Sequence, residues 1–263
     1  MRKWSAFCLM VFVLCFGVVG AAGAEAQIGV VVLHGKWGSP SGPTQGLAKR
    51  LEDARFLVAS PELPWSGRRS YDAGVEGMVA DIDAAVKSLR ARGAERVCVA
   101  GHSLGGAGAI RYATQVRVDC LIVLAPGHNP ESNTMRAWTA RDLAAAREQV
   151  ANGAGDESAL FDDYNSGNRT KKVRVKARVF IEYFDGDGPF NMVNNASHIL
   201  PGTPVLWVVG VDEADGPKRS GGAAFRAIPE SVPKKFVEVP GGHLATPENA
   251  GDIVMAWLRA TLQ

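Results

Sequence analysis

The stretch that most restricts what this chain can fold into is Arg96-Val97-Cys98-Val99-Ala100-Gly101-His102-Ser103-Leu104-Gly105-Gly106. An apolar run leads into it, and a segment of small residues, Ala107-Gly108-Ala109-Ile110-Arg111-Tyr112-Ala113, leads out. That order reads as a buried strand, a sharp turn and a helix. Gly-x-Ser-x-Gly in such a setting is the turn that presents a serine nucleophile. The turn holds the serine in a strained backbone conformation. Gly101 and Gly105, two residues either side, stand where any side chain would crowd it. Ser103 is therefore expected above a sheet edge and at a helix N-terminus, where free N–H groups and the helix dipole favour developing negative charge.

The chain has 263 residues, room for one large α/β domain or two small ones. Residues 1–26 read as a secretory signal peptide rather than as part of the fold. Arg2 and Lys3 give a positive start, and residues 4–20 are apolar apart from Ser5. Both Ala22-Gly23-Ala24 and Ala24-Glu25-Ala26 fit the small-x-small cleavage rule, which predicts a cut after Ala24 or Ala26. The apolar run is near the lower length limit for spanning a bilayer. The expectation is thus a mature domain over 27–263, periplasmic or secreted, with no stable membrane insertion after cleavage.

The formal net charge is +2, and no basic block or aromatic–basic interleaving occurs, which argues against nucleic acid and anionic membrane surfaces as partners. Lys171-Lys172-Val173-Arg174-Val175-Lys176 alternates, so it reads as the solvated face of a strand. Cleavage leaves two cysteines, Cys98 and Cys120, each inside an apolar run. Export would permit their oxidation, but the reading preferred here is two small buried hydrophobic residues. No Cys/His spacing resembles a metal site, and no cofactor is implied.

Strands and helices alternate along residues 28–128, the mark of βαβ units and a parallel sheet. Apolar runs at 28–33, 56–60, 96–100 and 118–125 read as strands, and 41–54, 71–92 and 104–113 as helices. The first strand ends in His34-Gly35-Lys36, the usual place for an oxyanion donor opposite a serine turn. The main-chain N–H groups of Lys36 and Leu104 are the candidate donors, and His34 reads as a packing histidine. Trp65 fits either the cleft wall or a cap on the core. Residues 131–203 hold a helix at 139–151, a polar loop-like stretch at 156–170 and an ambiguous segment at 173–184. They are expected to form a lid-like insertion before the acid-bearing strand. Residues 204–210 and 235–239 read as the last strands, 223–228 as a short helix and 247–262 as the closing helix.

A serine hydroxyl is a poor nucleophile until a base takes its proton. His243, after the final strand and the flexible pair Gly241-Gly242, is placed to do so, and a carboxylate would fix its tautomer. Three acids compete for that place in the loop after Gly210. Glu213 is preferred, three residues after Gly210; Asp215, before a Gly-Pro turn, is second and Asp212 third. The chain order is then Ser, acid, His.

These features resemble the α/β-hydrolase superfamily, over essentially all of residues 27–263, and in particular its exported, esterase-like bacterial members. The resemblance rests on His34-Gly35, on Gly101-His102-Ser103-Leu104-Gly105-Gly106, on Gly210 with its acidic loop and on Gly242-His243. Glu213 stands where aspartate is usual. The resemblance implies a mostly parallel sheet flanked by helices. It also implies a serine hydrolase that cleaves a carboxylic ester or related acyl bond of a small-molecule substrate through an acyl-enzyme. Acyl transfer or peptide hydrolysis on the same three residues, and a non-catalytic binding protein on the same scaffold, are the alternatives.

Overall fold

The computed structural model describes Met1 and residues 26–165, 169–213 and 215–262, with the side chains of 215–220 excepted. The predicted signal peptide lies almost entirely outside the described residues. The chain runs β1 (Ile28–Leu33), α1 (Gln45–Asp53), β2 (Leu57–Ala59), α2 (Val75–Ala91), β3 (Arg96–His102), α3 (Leu104–Ala113) and β4 (Cys120–Leu124). It continues through α4 (Asn133–Ala151), β5 (Ser158–Asn165), β6 (Arg169–Lys176), α5 (Ala177–Phe184) and α6 (Met192–Ser197). It closes with β7 (Val205–Gly210), α7 (Asp215–Ala227), β8 (Lys234–Val239), α8 (Thr246–Asn249) and α9 (Gly251–Leu262).

Ile28-Gly29-Val30-Val31-Val32-Leu33 shows why the sheet is parallel and central. Every residue of β1 is buried, as a strand covered on both faces must be. Val30 and Val32 pack with Leu47, Leu51, Val254 and Leu258, the side of α1 and α9. Val31 and Leu33 pack with Met78, Ile82 and Ile110, the side of α2 and α3. The six strands are all parallel in the order β2-β1-β3-β4-β7-β8. The chain moves outward from β1 to β2 and then returns to β3 on the other side of β1. Such a reversal opens a crevice at the C-terminal strand ends.

Register brings those ends level: Leu33 pairs with Gly101, His102 with Leu124, Leu124 with Val208, and Gly210 with Val239. The loops carrying Lys36, Ser103, Gly127, Glu213 and His243 therefore leave the sheet along one edge.

Between β4 and β7 the chain departs from the expected loop-and-helix reading. The polar stretch at 156–170 holds β5, which pairs antiparallel with β6 from Ser158↔Lys176 to Asn165↔Arg169. The predicted solvated face is there: of Arg169–Lys176, Val173 and Val175 are buried and Lys171, Lys172 and Arg174 are exposed. The ambiguous 173–184 segment is strand and then helix. The helix expected from 139 starts at Asn133, capped by Ser132 Oγ, which accepts the Met135 N–H at 3.2 Å. This region joins the main core through aromatic packing. Phe161 stacks on Phe180 and Phe180 on Phe184, each at 4.4 Å, and Phe184 meets Tyr71 at 5.8 Å. Burial of each such ring contributes about 2–3 kcal/mol, so the hairpin is anchored at its base.

The cysteine reading is corrected. Cys98 and Cys120 lie directly opposite on β3 and β4 with Cα atoms 4.6 Å apart, and they form a disulfide. Register, which two isolated apolar runs do not reveal, is what pairs them.

Candidate active site

Ser103 stands on the turn between β3 and α3 with φ 57° and ψ −124°. A non-glycine residue there stores about 1–3 kcal/mol of strain, and packing enforces it. A Cβ on Gly101 would meet the Gly105 carbonyl oxygen at 2.1 Å, and one on Gly105 would meet those of His34 and Leu33 at 2.6 Å. The turn is also tied back, since the Ser103 N–H donates to the Leu124 carbonyl at 3.1 Å and the Ser103 carbonyl accepts from Gly106 at 2.9 Å.

Backbone bonds across the ends of β7 and β8 bring the other two groups in. The Val211 N–H donates to the Val239 carbonyl at 2.9 Å, Asp212 to Gly241 at 3.1 Å, and Glu213 to Gly210 at 3.1 Å. Gly241, at φ 86°, turns the chain so that His243 crosses the strand ends. His243 Nε2 lies 2.9 Å from Ser103 Oγ. Its Nδ1 faces both carboxylate oxygens of Glu213, at 3.0 and 3.1 Å. Glu213 is 7% exposed.

The three acids separate here. Glu213 joins His243, Asp212 is exposed on the outer side of the loop, and Asp215 begins α7 with its side chain outside the described residues. The helix expected at 223–228 thus starts earlier, inside what reads as acidic loop.

The loop after β1 touches the serine turn. A Cβ on Gly35 would come 3.0 Å from Ser103 Cβ, so only glycine lets the backbone approach this closely. Among the described residues the N–H groups of Lys36 and Leu104 donate to no acceptor. His34 is a packing histidine: its Nδ1–H donates to the Gly35 carbonyl at 2.8 Å and its Nε2 accepts the Leu63 N–H at 3.0 Å. Burial holds it below the usual histidine range. Trp65 is buried and donates to the His34 carbonyl at 2.9 Å, so it caps the core beneath this loop.

Three groups around Ser103 carry no signal in the sequence. Gly127, after β4, is one: a Cβ there would lie 3.2 Å from Ser103 Oγ and 3.6 Å from His243 Cε1, so glycine keeps that approach open. His102 is the second. Its Nε2–H donates to the His243 carbonyl at 2.9 Å, and burial, with His243 beside it, pushes its pKa down to about 3. It is a neutral strut under the His243 loop. The third is Asp163 on β5, whose carboxylate meets Lys36, Trp37 and Tyr71.

In this arrangement His243 Nε2 can take the Ser103 proton while Nδ1–H stays on Glu213. No cluster of three or more His, Cys, Asp or Glu among the described residues is placed to hold a metal. No helix among them is long and apolar enough to cross a membrane.

A six-stranded parallel sheet with a serine turn after β3, a carboxylate after β7 and a histidine after the last strand is the architecture of an α/β hydrolase. The sequence profile of the alpha/beta hydrolase family matches residues 30–257, and the chain belongs to that family. No curated protein matches it in sequence. Among solved structures it is similar to a metagenome-derived lipolytic enzyme at 22% identity, over 90% of this chain and 94% of that one, with a TM-score of 0.62. The monoacylglycerol lipase of Paleococcus ferrophilus is similar at 22% identity, 90% and 97% coverage and a TM-score of 0.62. Est1E of Butyrivibrio proteoclasticus, solved with ferulic acid bound, is similar at 16% identity, 90% coverage of each chain and a TM-score of 0.60. At these identities the likeness is one of fold.

Proposed function

We propose that this protein is a serine esterase that hydrolyses a small-molecule carboxylic ester through an acyl-enzyme on Ser103. The observation that carries the reading is the chain Ser103 Oγ–His243 Nε2 at 2.9 Å and His243 Nδ1–Glu213 at 3.0 Å, with the carboxylate buried. Ser103 Oγ attacks the ester carbonyl carbon as its proton passes to His243 Nε2. Glu213 holds the Nδ1–H tautomer and stabilises the imidazolium. The developing oxyanion is met by the N–H groups of Lys36 and Leu104, the second of which opens α3. Collapse of the tetrahedral intermediate breaks the C–O bond to the alcohol, which leaves with the proton from His243. Water then attacks the acyl-enzyme by the same route and restores the serine. The lipases and esterases among the structural neighbours support ester substrates. The region between β4 and β7 is the lid-like element of this reading.

Export belongs to the same proposal. A positive start, an apolar run and small-x-small sites in residues 1–26 support it, and a buried disulfide agrees with an oxidising compartment.

The test is active-site labelling of residues 27–263 with a fluorophosphonate, beside hydrolysis of p-nitrophenyl esters of increasing acyl length. Wild type is expected to label and to turn over, and Ser103→Ala and His243→Ala to do neither while remaining folded by circular dichroism. A folded wild type that neither labels nor hydrolyses any ester would refute the esterase reading and favour a binding protein on this scaffold.

A further inference from the structure

One carboxylate from the region between β4 and β7 reaches the loop that carries the proposed oxyanion donor. Asp163, fully buried, accepts from Lys36 Nζ at 2.6 Å, Trp37 Nε1 at 2.5 Å and Tyr71 Oη at 2.7 Å. Lys36 Nζ also donates to the Tyr164 carbonyl at 2.8 Å and lies 5.0 Å from the centre of the Phe184 ring. Two consecutive side chains of the 35–38 loop thus end on one carboxylate, 127 and 126 residues away in sequence.

We propose that Asp163 is a positioning residue that fixes the Lys36 main-chain N–H against Ser103; this rests on the esterase reading above. The loop needs such a hold. Trp37 sits at φ 57°, a conformation its side chain disfavours, and its main chain is otherwise held by the bond from its N–H to the Trp65 carbonyl at 3.0 Å. Gly35, next to Lys36, resists rotation least. Releasing the two side chains lets the Gly35–Trp37 segment relax, and a displacement of well under 1 Å is enough to spoil an oxyanion donor. A purely stabilising role does not call for this chemistry, because a buried ion pair is commonly no more stable than an apolar pair of similar volume. What the carboxylate adds is direction, with three donors converging on two oxygens. The Lys36 charge also cancels that of Asp163, so no net negative charge is left beside the developing oxyanion. Burial lowers the Lys36 pKa against the pull of Asp163.

The experiment compares Asp163→Asn and the double variant Lys36→Met/Asp163→Leu with wild type and Ser103→Ala. It measures kcat, KM, the pH profile of kcat/KM, and Tm. Asp163→Asn is expected to lower kcat by about 10²-fold, the scale of one lost oxyanion donor. KM and the shape of the pH profile should change little, because the Ser103–His243–Glu213 chain is untouched. The double variant leaves no unpaired buried charge, so it is expected to regain the wild-type Tm while kcat stays low. Near wild-type kcat in Asp163→Asn, or recovery of kcat together with Tm in the double variant, overturns the positioning role and leaves the esterase reading intact. Wild-type turnover equal to that of Ser103→Ala overturns both.

Discussion

Replacing Glu213 by glutamine separates the proposed acid from its neighbours with almost no change in shape. In the native site the carboxylate is buried, and both its oxygens lie 3.0–3.1 Å from His243 Nδ1, so it accepts one proton-bearing nitrogen and nothing else among the described side chains. A glutamine fits the same space. If its amide nitrogen faces His243, Nδ1 must become an acceptor and the ring proton moves to Nε2, which can then no longer take the Ser103 proton. Loss of the correct tautomer by this exchange costs about 10⁴ in kcat in the serine-protease template, equivalent to about 5.5 kcal/mol of transition-state stabilisation. Glu213→Gln is therefore expected to lose about 10⁴ in kcat with little change in KM or Tm. Glu213→Asp withdraws the carboxylate by about 1.5 Å, one C–C bond, which takes both oxygens beyond hydrogen-bond range of Nδ1. A loss near 10²-fold is expected, the lower part of the range for a misaligned acid–base group. The assay is steady-state ester hydrolysis with Tm alongside, and Asp212→Asn and Asp215→Asn as controls expected to stay close to wild type. A Glu213→Gln enzyme that keeps more than about a tenth of kcat, or a collapse in either control, refutes the assignment of Glu213.

Two further outcomes follow from burial and from the disulfide. His102, pushed down to about 3 by burial, stays neutral in the folded chain but titrates near 6.5 once unfolded; burial lowers His34 and His128 in the same direction. Below about 6.5 the unfolded state binds protons that the folded state does not, so their contribution is complete above that pH and is lost as pH falls, by up to about 1.4 kcal/mol per pH unit for each group. Glu131, raised by burial, opposes them as a single group. Urea unfolding is expected to show a lower midpoint at pH 5.5 than at 7.5, and a midpoint that holds or rises would refute the neutral buried histidines. Intact-mass analysis of the full-length gene product expressed with a working secretion system is expected to find a chain beginning at Glu25 or Gln27. Cys98 and Cys120 should be closed to alkylation until reduced, and a free thiol pair on an uncleaved chain would refute export.

What the sequence reveals about this fold is what local geometry imposes on it. Gly101, Gly105 and Gly35 are glycines because backbone atoms stand where a Cβ would go, so the serine turn and the loop facing it are legible residue by residue. The place of His243 is legible from its position after the last strand. The choice among three acids is not, because it depends on a bond between distant loops: the Asp212 N–H on the Gly241 carbonyl turns one acid outward and the next inward. The disulfide hides for a related reason. Cys98 and Cys120 are as apolar as their neighbours, and only the register of β3 against β4 sets them opposite. The polar stretch at 156–170 is the clearest case. On β5 the buried positions are Phe161 and Asp163, and an aspartate at an inward position makes a strand read as loop. Asp163 can be inward only because Lys36, Trp37 and Tyr71, about a hundred residues earlier, bring three donors to it. A buried carboxylate is costly where it stands alone, so its presence on an inserted hairpin shows that hairpin and oxyanion loop are built as one unit. The periodicity that would have exposed β5 is broken at the residue that joins the inserted region to the proposed catalytic edge of the sheet.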